Sequence, residues 1–87
     1  MRYPDIEESE DPLFYNLTTE SPYILGVFAQ ETDVYLRIDD GKRIKLLTDI
    51  GGKFEYTFDL LEVGQVVTFE YKNGTKYVPF WTEAIRE

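Results

Sequence analysis

The chain has 87 residues and a net charge of −8, from 17 acidic and 9 basic residues, and it contains no cysteine and no histidine. This length suits one domain with a single small core. The hydrophobic content of 43% and the aromatic content of 16% predict that the domain folds despite its charge. Without cysteine and histidine there are no disulfides, thiolate metal sites, cysteine nucleophiles or histidine bases. We therefore expect a protein that is not an enzyme and has no catalytic residues, no metal site and no cofactor.

The hydropathy pattern predicts no contact with a membrane. No apolar run approaches the roughly 18 residues that suggest a membrane span, and the first ten residues lack the apolar core of a secretory signal. We expect a cytoplasmic protein.

Residues 1–21 are expected to form an acidic N-terminal arm. Glu7, Glu8, Glu10 and Asp11 give its first half a strong negative charge. Asp11 directly before Pro12 is also a suitable start for a short helix of one or two turns. A solvated tail and a docking arm for a partner both remain open as roles for this segment.

Residues 22–87 are expected to form a small β-barrel of five or six strands. The stretch "DVYLRI" alternates with a period of two, which predicts that Leu36 faces the core and that Tyr35 and Arg37 face outward. Little in this region favours a helix, so we predict an all-β fold class.

The turn after this strand has two registers, and only one keeps the faces consistent. A three-residue loop over 39–41, with Gly41 in the left-handed conformation, pairs Leu36 with Ile44. The same register brings Arg37 beside Arg43, where a carboxylate or a partner is needed to relieve the repulsion.

In the later strands, the residues expected to face the core are largely aromatic, and the last two strands are expected to form a hairpin. A two-residue turn at residues 73–74, which are Asn-Gly, would place Phe69 beside Val78. Pro79 cannot donate to a ladder, so the last strand is expected at an edge or a bulge, which leaves pairing of two copies through that edge open. The expected inward residues of the preceding strand are Phe54, Tyr56, Phe58 and Leu60.

The stretch from residue 22 to 85 resembles the small OB-fold modules, cold-shock domains among them. The matching features are a glycine in the first strand, Gly26, and a late run before the final hairpin formed by Leu61, Gly64, Gln65, Val67 and Phe69. The resemblance implies an OB-like barrel, with an SH3-like barrel as the alternative. Cold-shock domains bind nucleic acid through aromatic-rich middle strands, but the corresponding stretches here hold only Tyr35, so we expect nucleic acid to be a less favoured partner.

Two sets of surface residues are candidates for binding. We expect a protein-binding module, acting as an acidic inhibitor or a mimic of nucleic acid that occupies the basic surface of a partner such as a nucleic-acid-binding protein. The residues expected to bind it are Glu7, Glu8, Glu10, Asp11, Tyr35, Tyr77 and Trp81. The alternative is an OB-type domain that binds single-stranded nucleic acid by stacking and charge. Its residues would be Tyr35, Arg37, Arg43, Lys45 and Trp81.

Overall fold

The computed structural model describes residues 2–86, which form six β-strands and no helix. The prediction of an all-β fold is therefore confirmed. The strands are β1 (Tyr23–Val27), β2 (Asp33–Ile38), β3 (Ile44–Leu47), β4 (Lys53–Thr57), β5 (Val66–Asn73) and β6 (Lys76–Ala84). They pair as two antiparallel sheets, one of order β1-β4 and one of order β3-β2-β5-β6. Within the described range no helix is long and apolar enough to cross a membrane.

The hydrophobic core draws on both sheets and on the N-terminal segment. Leu13 and Leu17 belong to the same buried cluster as the strand residues, with exposures of 4% and 0%. Phe54 and Phe58 are buried as expected, but Leu60 is exposed and the next residue, Leu61, enters the core in its place. The inward phase of β4 therefore ends at Phe58, because the chain leaves strand geometry after Thr57. The remaining buried members are Ile24, Val34, Leu36, Val67, Phe69 and Ile85.

The predicted register between β2 and β3 is confirmed, since Leu36 lies opposite Ile44. The left-handed residue of the loop is Asp39, with φ of 50°, and not Gly41. Asp39 also holds the loop to β5, because its N–H donates to the carbonyl of Val66 at 2.8 Å and its side chain accepts the N–H of the same residue at 3.0 Å. Aspartate is one of the few non-glycine residues that adopt this conformation readily.

The hairpin between β5 and β6 turns one residue later than expected. Asn73 pairs with Lys76, so the two-residue turn is Gly74 and Thr75, with Gly74 at φ of 65°. A glycine with positive φ at the first turn position is typical of a type II′ hairpin. This turn by itself would place Phe69 opposite Phe80 and not opposite Val78, and a bulge moves the partner of Phe69 one residue further, to Trp81.

The strand that contains Pro79 is an edge strand with a bulge, as predicted. β6 is the last strand of the four-stranded sheet, and its register against β5 shifts after Glu70 pairs with Pro79. Phe80 is the extra residue, since the next pair joins Phe69 to Trp81. From Trp81 onward, each β6 side chain faces the side opposite to that expected from simple alternation, whereas Phe80 itself packs against the core.

The short helix expected after Asp11 is absent, because residues 12–14 run in extended form beside β1. The N–H of Phe14 donates to the carbonyl of Leu25 at 3.0 Å, and the N–H of Val27 donates to the carbonyl of Pro12 at 2.9 Å. These bonds to a strand edge take the place of the bonds that a helical turn would make within itself.

The two sheets diverge between β3 and β4, where no ladder joins the described strands. The turn between them is closed by a bond from the N–H of Asp49 to the carbonyl of Lys53, at 2.9 Å. Beyond it the strands separate around a cleft of about 350 Å³, whose walls include Leu25, Leu46 and Phe54.

Candidate protein-binding surfaces

The N-terminal segment is held against the end of β6 by one buried arginine. The Arg2 side chain is 10% exposed and forms a two-bond pair with Glu83, at 2.9 and 2.6 Å. Its Nε also donates to Asp11 at 2.7 Å, and its Nη1 donates to the side chain of Asn16 and to the carbonyl of Tyr15. The first part of the chain is therefore docked on the domain by charged hydrogen bonds.

Charge and burial act in opposite directions on this guanidinium. Burial of Arg2 disfavours its charged form, but the hydrogen bonds to Glu83 and Asp11 outweigh that cost and raise its pKa. Arg2 is thus a permanent cation that pairs with two buried carboxylates, whose side chains are 3% and 5% exposed. Asp11 is consequently part of the support and is not available to a partner.

The next contact along this segment is a second arginine pair at the surface. Arg86 donates two hydrogen bonds to Asp5, at 2.9 and 3.1 Å, and its guanidinium lies 4.0 Å from the centre of the Tyr3 ring. The hydrogen bond from Arg86 lowers the pKa of Asp5. Two separate anchors thus hold residues 2–11 in place.

Besides Asp5, which pairs with Arg86, three carboxylates are exposed on the docked segment, and we call Glu7, Glu8 and Glu10 the acidic surface. They lie on one turn, in which the carbonyl of Glu7 accepts the N–H groups of Glu10 and Asp11 at 3.2 and 3.1 Å. No salt bridge within residues 2–86 engages any of the three. The segment therefore presents a group of unneutralised negative charges from a defined backbone.

The outer face of the four-stranded sheet collects most of the other candidates. Paired residues share a face, and Tyr35 pairs with both Lys45 and Glu70. The ring of Tyr77 packs edge-on against Tyr35, at 5.0 Å between centroids, and the guanidinium of Arg43 lies 3.8 Å from the Tyr77 centroid. We call this group of Tyr35, Arg43, Glu70 and Tyr77 the tyrosine cluster.

The tyrosine cluster is already paired internally. The Nε of Arg43 donates to the buried carboxylate of Glu70 at 2.8 Å, and this bond raises the pKa of Arg43. Of the two expected ways to relieve repulsion between Arg37 and Arg43, a carboxylate or a partner, Glu70 supplies a carboxylate for Arg43. Tyr35 is only 9% exposed, because Tyr77 covers it.

Two further cations lie beside this cluster. Lys45 approaches Asp33 at 3.6 Å, and Arg37 approaches Asp40 at 3.9 Å. The Nε of Arg37 is buried and is the one buried side-chain nitrogen or oxygen without a hydrogen bond in the described range.

Trp81 does not join the tyrosine cluster. The bulge at Phe80 turns Trp81 to the inner side of the sheet, opposite Phe69, where its ring is half-buried. Its Nε1 donates to Glu83 at 3.1 Å, so the indole supports the carboxylate that holds Arg2. Trp81 is therefore half-buried and not exposed as expected, and its contact with a partner stays a prediction.

Sequence reasoning did not find the Arg2 anchor. Arg2 and Glu83 are 81 positions apart, and neither lies in a sequence motif that would predict their ion pair. The sequence shows that residues 5–11 are acidic, but it does not indicate that Arg2 holds this segment on the domain.

Comparisons of this chain with protein-family models, with curated proteins and with solved structures found no match.

Proposed function

We propose that this protein is a non-enzymatic binding module that uses the acidic surface to engage the basic surface of another protein. The observation that carries the proposal is the Arg2 anchor, which joins the acidic segment to the end of β6. Carboxylates on a docked turn lose less conformational freedom on binding than the same groups on a free tail. Charge complementarity of this kind also accelerates encounter with a basic partner.

The proposal includes mimicry of nucleic acid. Glu7, Glu8 and Glu10 would occupy the positions of phosphates in the groove of a nucleic-acid-binding protein. The net charge of −8 supports this, because it favours approach to any strongly basic surface.

We propose further that the two sheets form an OB-like barrel that is open between β3 and β4. Support comes from the antiparallel pairing of six short strands around one core and from Gly26, whose position in β1 matches the glycine of the OB pattern. A cytoplasmic location and pairing of two copies through the β6 edge stay predictions from the sequence.

A capture experiment tests the proposed function. The purified protein is immobilised and exposed to nuclease-treated lysate of its source, beside a variant with Glu7→Gln, Glu8→Gln and Glu10→Gln. We expect the wild type to retain a basic protein that the triple variant loses and that excess oligonucleotide displaces.

The control is a second triple variant, Glu20→Gln, Asp59→Asn and Glu62→Gln, which removes the same charge from other exposed positions. Equal capture by the two triple variants would show that net charge alone, and not the acidic surface, retains the partner. Capture that is indifferent to oligonucleotide would remove the mimicry from the proposal.

A second candidate function, binding of single-stranded nucleic acid, is favoured by the grouping of Tyr35, Tyr77, Arg37, Arg43 and Lys45 on the outer face. It ranks second because stacking needs an open ring face, whereas Tyr35 is covered and Arg43 lies over Tyr77. If it holds, a labelled oligonucleotide binds at low salt and Arg43→Ala weakens it. Absence of binding at low salt would end this candidate.

A further inference from the structure

The docked N-terminal segment encloses a groove of about 470 Å³. Its apolar lining includes Pro4, Ile6, Leu13 and Phe14, and Phe14 is an exposed aromatic at 41%. Glu8 also lines the groove, with Glu7 and Glu10 on the same turn. The groove thus combines an apolar lining with an unneutralised carboxylate.

The other charged groups in the lining are already engaged. Arg2 and Asp11 bind each other at 2.7 Å, and Arg2 is also held by Glu83. Arg2 and Asp11 contribute one charge of each sign to the lining. Of the carboxylates that line the groove, Glu8 is the one that forms no salt bridge within residues 2–86. The groove is therefore complementary to a positive charge.

The side chain that fits both properties is arginine, because its stem is apolar and its planar cation binds carboxylates and aromatic faces. The same segment already holds one arginine in this way. Arg86 lies over the Tyr3 ring at 4.0 Å and makes two bonds to Asp5. Phe14 and Glu8 supply an aromatic ring and a carboxylate to one groove, and within residues 2–86 no arginine lies over the Phe14 ring or forms a salt bridge with Glu8.

We propose that this groove binds an arginine side chain from a basic segment of the partner protein, with the stem against Phe14 and the guanidinium at Glu8. The inference rests on the proposed function, since it names the chemistry of the partner at the acidic surface.

The test uses a fluorescein-labelled peptide of alternating arginine and glycine, and fluorescence anisotropy with the full chain at low salt. Phe14→Ala should weaken binding by about tenfold, the range of a cation–aromatic contact with some desolvation. Tyr15→Ala is the matched control, because Tyr15 is the adjacent aromatic, is 51% exposed and does not line the groove. It should change the affinity by less than about twofold.

Two further arms separate this inference from the proposed function. Replacement of arginine by lysine in the peptide should also weaken binding, because lysine is a poorer partner for a planar ring and a carboxylate together. On the unmodified protein, the amide NMR signals of Ile6, Glu8 and Phe14 should shift on addition of the peptide.

Each outcome decides something. Equal effects of Phe14→Ala and Tyr15→Ala, or no peptide binding at all, overturn the arginine groove. The proposed function survives the first of these results if Glu7→Gln, Glu8→Gln and Glu10→Gln together still weaken binding. Peptide binding that none of these variants changes overturns both proposals.

Discussion

Arg2 joins the N-terminal segment to the end of β6 and is the cation that pairs with two buried carboxylates. Its removal would leave Asp11 and Glu83 buried without a cation, and a buried charge that loses its partner is costly. The indole of Trp81 would remain as a donor to Glu83, but it carries no charge to replace the guanidinium.

We therefore expect Arg2→Ala to lower the free energy of unfolding by about 2 to 3 kcal/mol, somewhat less than for a fully buried pair. Chemical denaturation measures the change. The control is Arg86→Ala, which removes two hydrogen bonds to one carboxylate at the surface and should cost much less because water replaces the lost bonds. Equal losses for the two variants would mean that Arg2 is not a buried anchor in solution.

Asp49 is the second residue whose charge supports a local structure. Its Oδ1 accepts the N–H groups of Gly51 and Lys53, at 2.8 and 2.9 Å, in the turn between β3 and β4. These backbone hydrogen bonds, with that from Lys53 the largest contribution, lower the pKa of the Asp49 carboxyl.

A lowered pKa in the folded state means that the carboxylate stabilises the fold above its ordinary pKa and that this contribution is lost as pH falls through the lower folded value. Asp49→Asn should therefore destabilise the protein at pH 7, and its difference from the wild type should shrink under acid conditions below the ordinary aspartate range. Thermal unfolding of both proteins across that pH range provides the measurement. A difference that stays constant with pH would contradict the role given to the charge.

At the scale of elements, β1 is enclosed between β4 and residues 12–14, and Gly26 is the position where the three segments come closest. A Cβ on Gly26 would lie 2.7 Å from the Phe54 ring and 2.9 Å from the carbonyl oxygen of Pro12. Close packing thus explains why a glycine occupies position 26, which is also the glycine of the OB-like pattern.

Gly26→Ala should lower the free energy of unfolding by about 1 to 3 kcal/mol, the usual cost of overpacking a core. Gly51→Ala is the comparison, because its nearest neighbour would be the Asp49 side chain at 3.4 Å and its φ is not in the left-handed region. If alanine were tolerated equally at both sites, residues 12–14 would not be packed on β1 as described.

The elements also show which features local sequence could predict. The register of β2 and β3 follows from the alternation in "DVYLRI" and "RIKLL", because a slip would have moved charged residues into the core. The predicted register of β5 and β6 was wrong, because Asn73-Gly74 and Gly74-Thr75 are both acceptable turns and because the bulge at Phe80 adds a residue that side-chain alternation does not reveal. Trp81 was therefore assigned to the wrong face for a reason that no alternation pattern contains.

At the scale of the whole molecule, the unjoined edges of β3 and β4 decide whether the sheets close into a barrel. In an antiparallel ladder, N–H groups point alternately toward and away from the partner strand. The amides of Lys45 and Leu47 in β3, and of Glu55 and Thr57 in β4, point away from their partners, because the intervening residues make the ladder bonds.

We expect these four amides to exchange rapidly with deuterium, while those of Leu46 and Tyr56, which lie between them and face a paired strand, are protected. Native-state hydrogen exchange followed by NMR makes the comparison within single strands. Protection of all four would instead reveal a ladder that closes the barrel in solution.

The candidate site depended even more on long-range structure than the fold did. Composition identified Glu7, Glu8 and Glu10, and strand phase brought Tyr35 and Lys45 to one face. That the acidic segment is held, and that Tyr35 is covered by Tyr77, follow from contacts between residues far apart in the sequence.

The bond between Arg2 and Glu83 also sets an order of events during synthesis. Residues 2–11 are synthesised before Glu83, the carboxylate that holds Arg2 from 81 positions further along the chain. Until Glu83 is made, the acidic segment is a free polyanion that basic proteins or nascent chains can meet at random. The segment cannot dock in this way earlier, so the arrangement of carboxylates that a partner would recognise exists only on chains translated through Glu83.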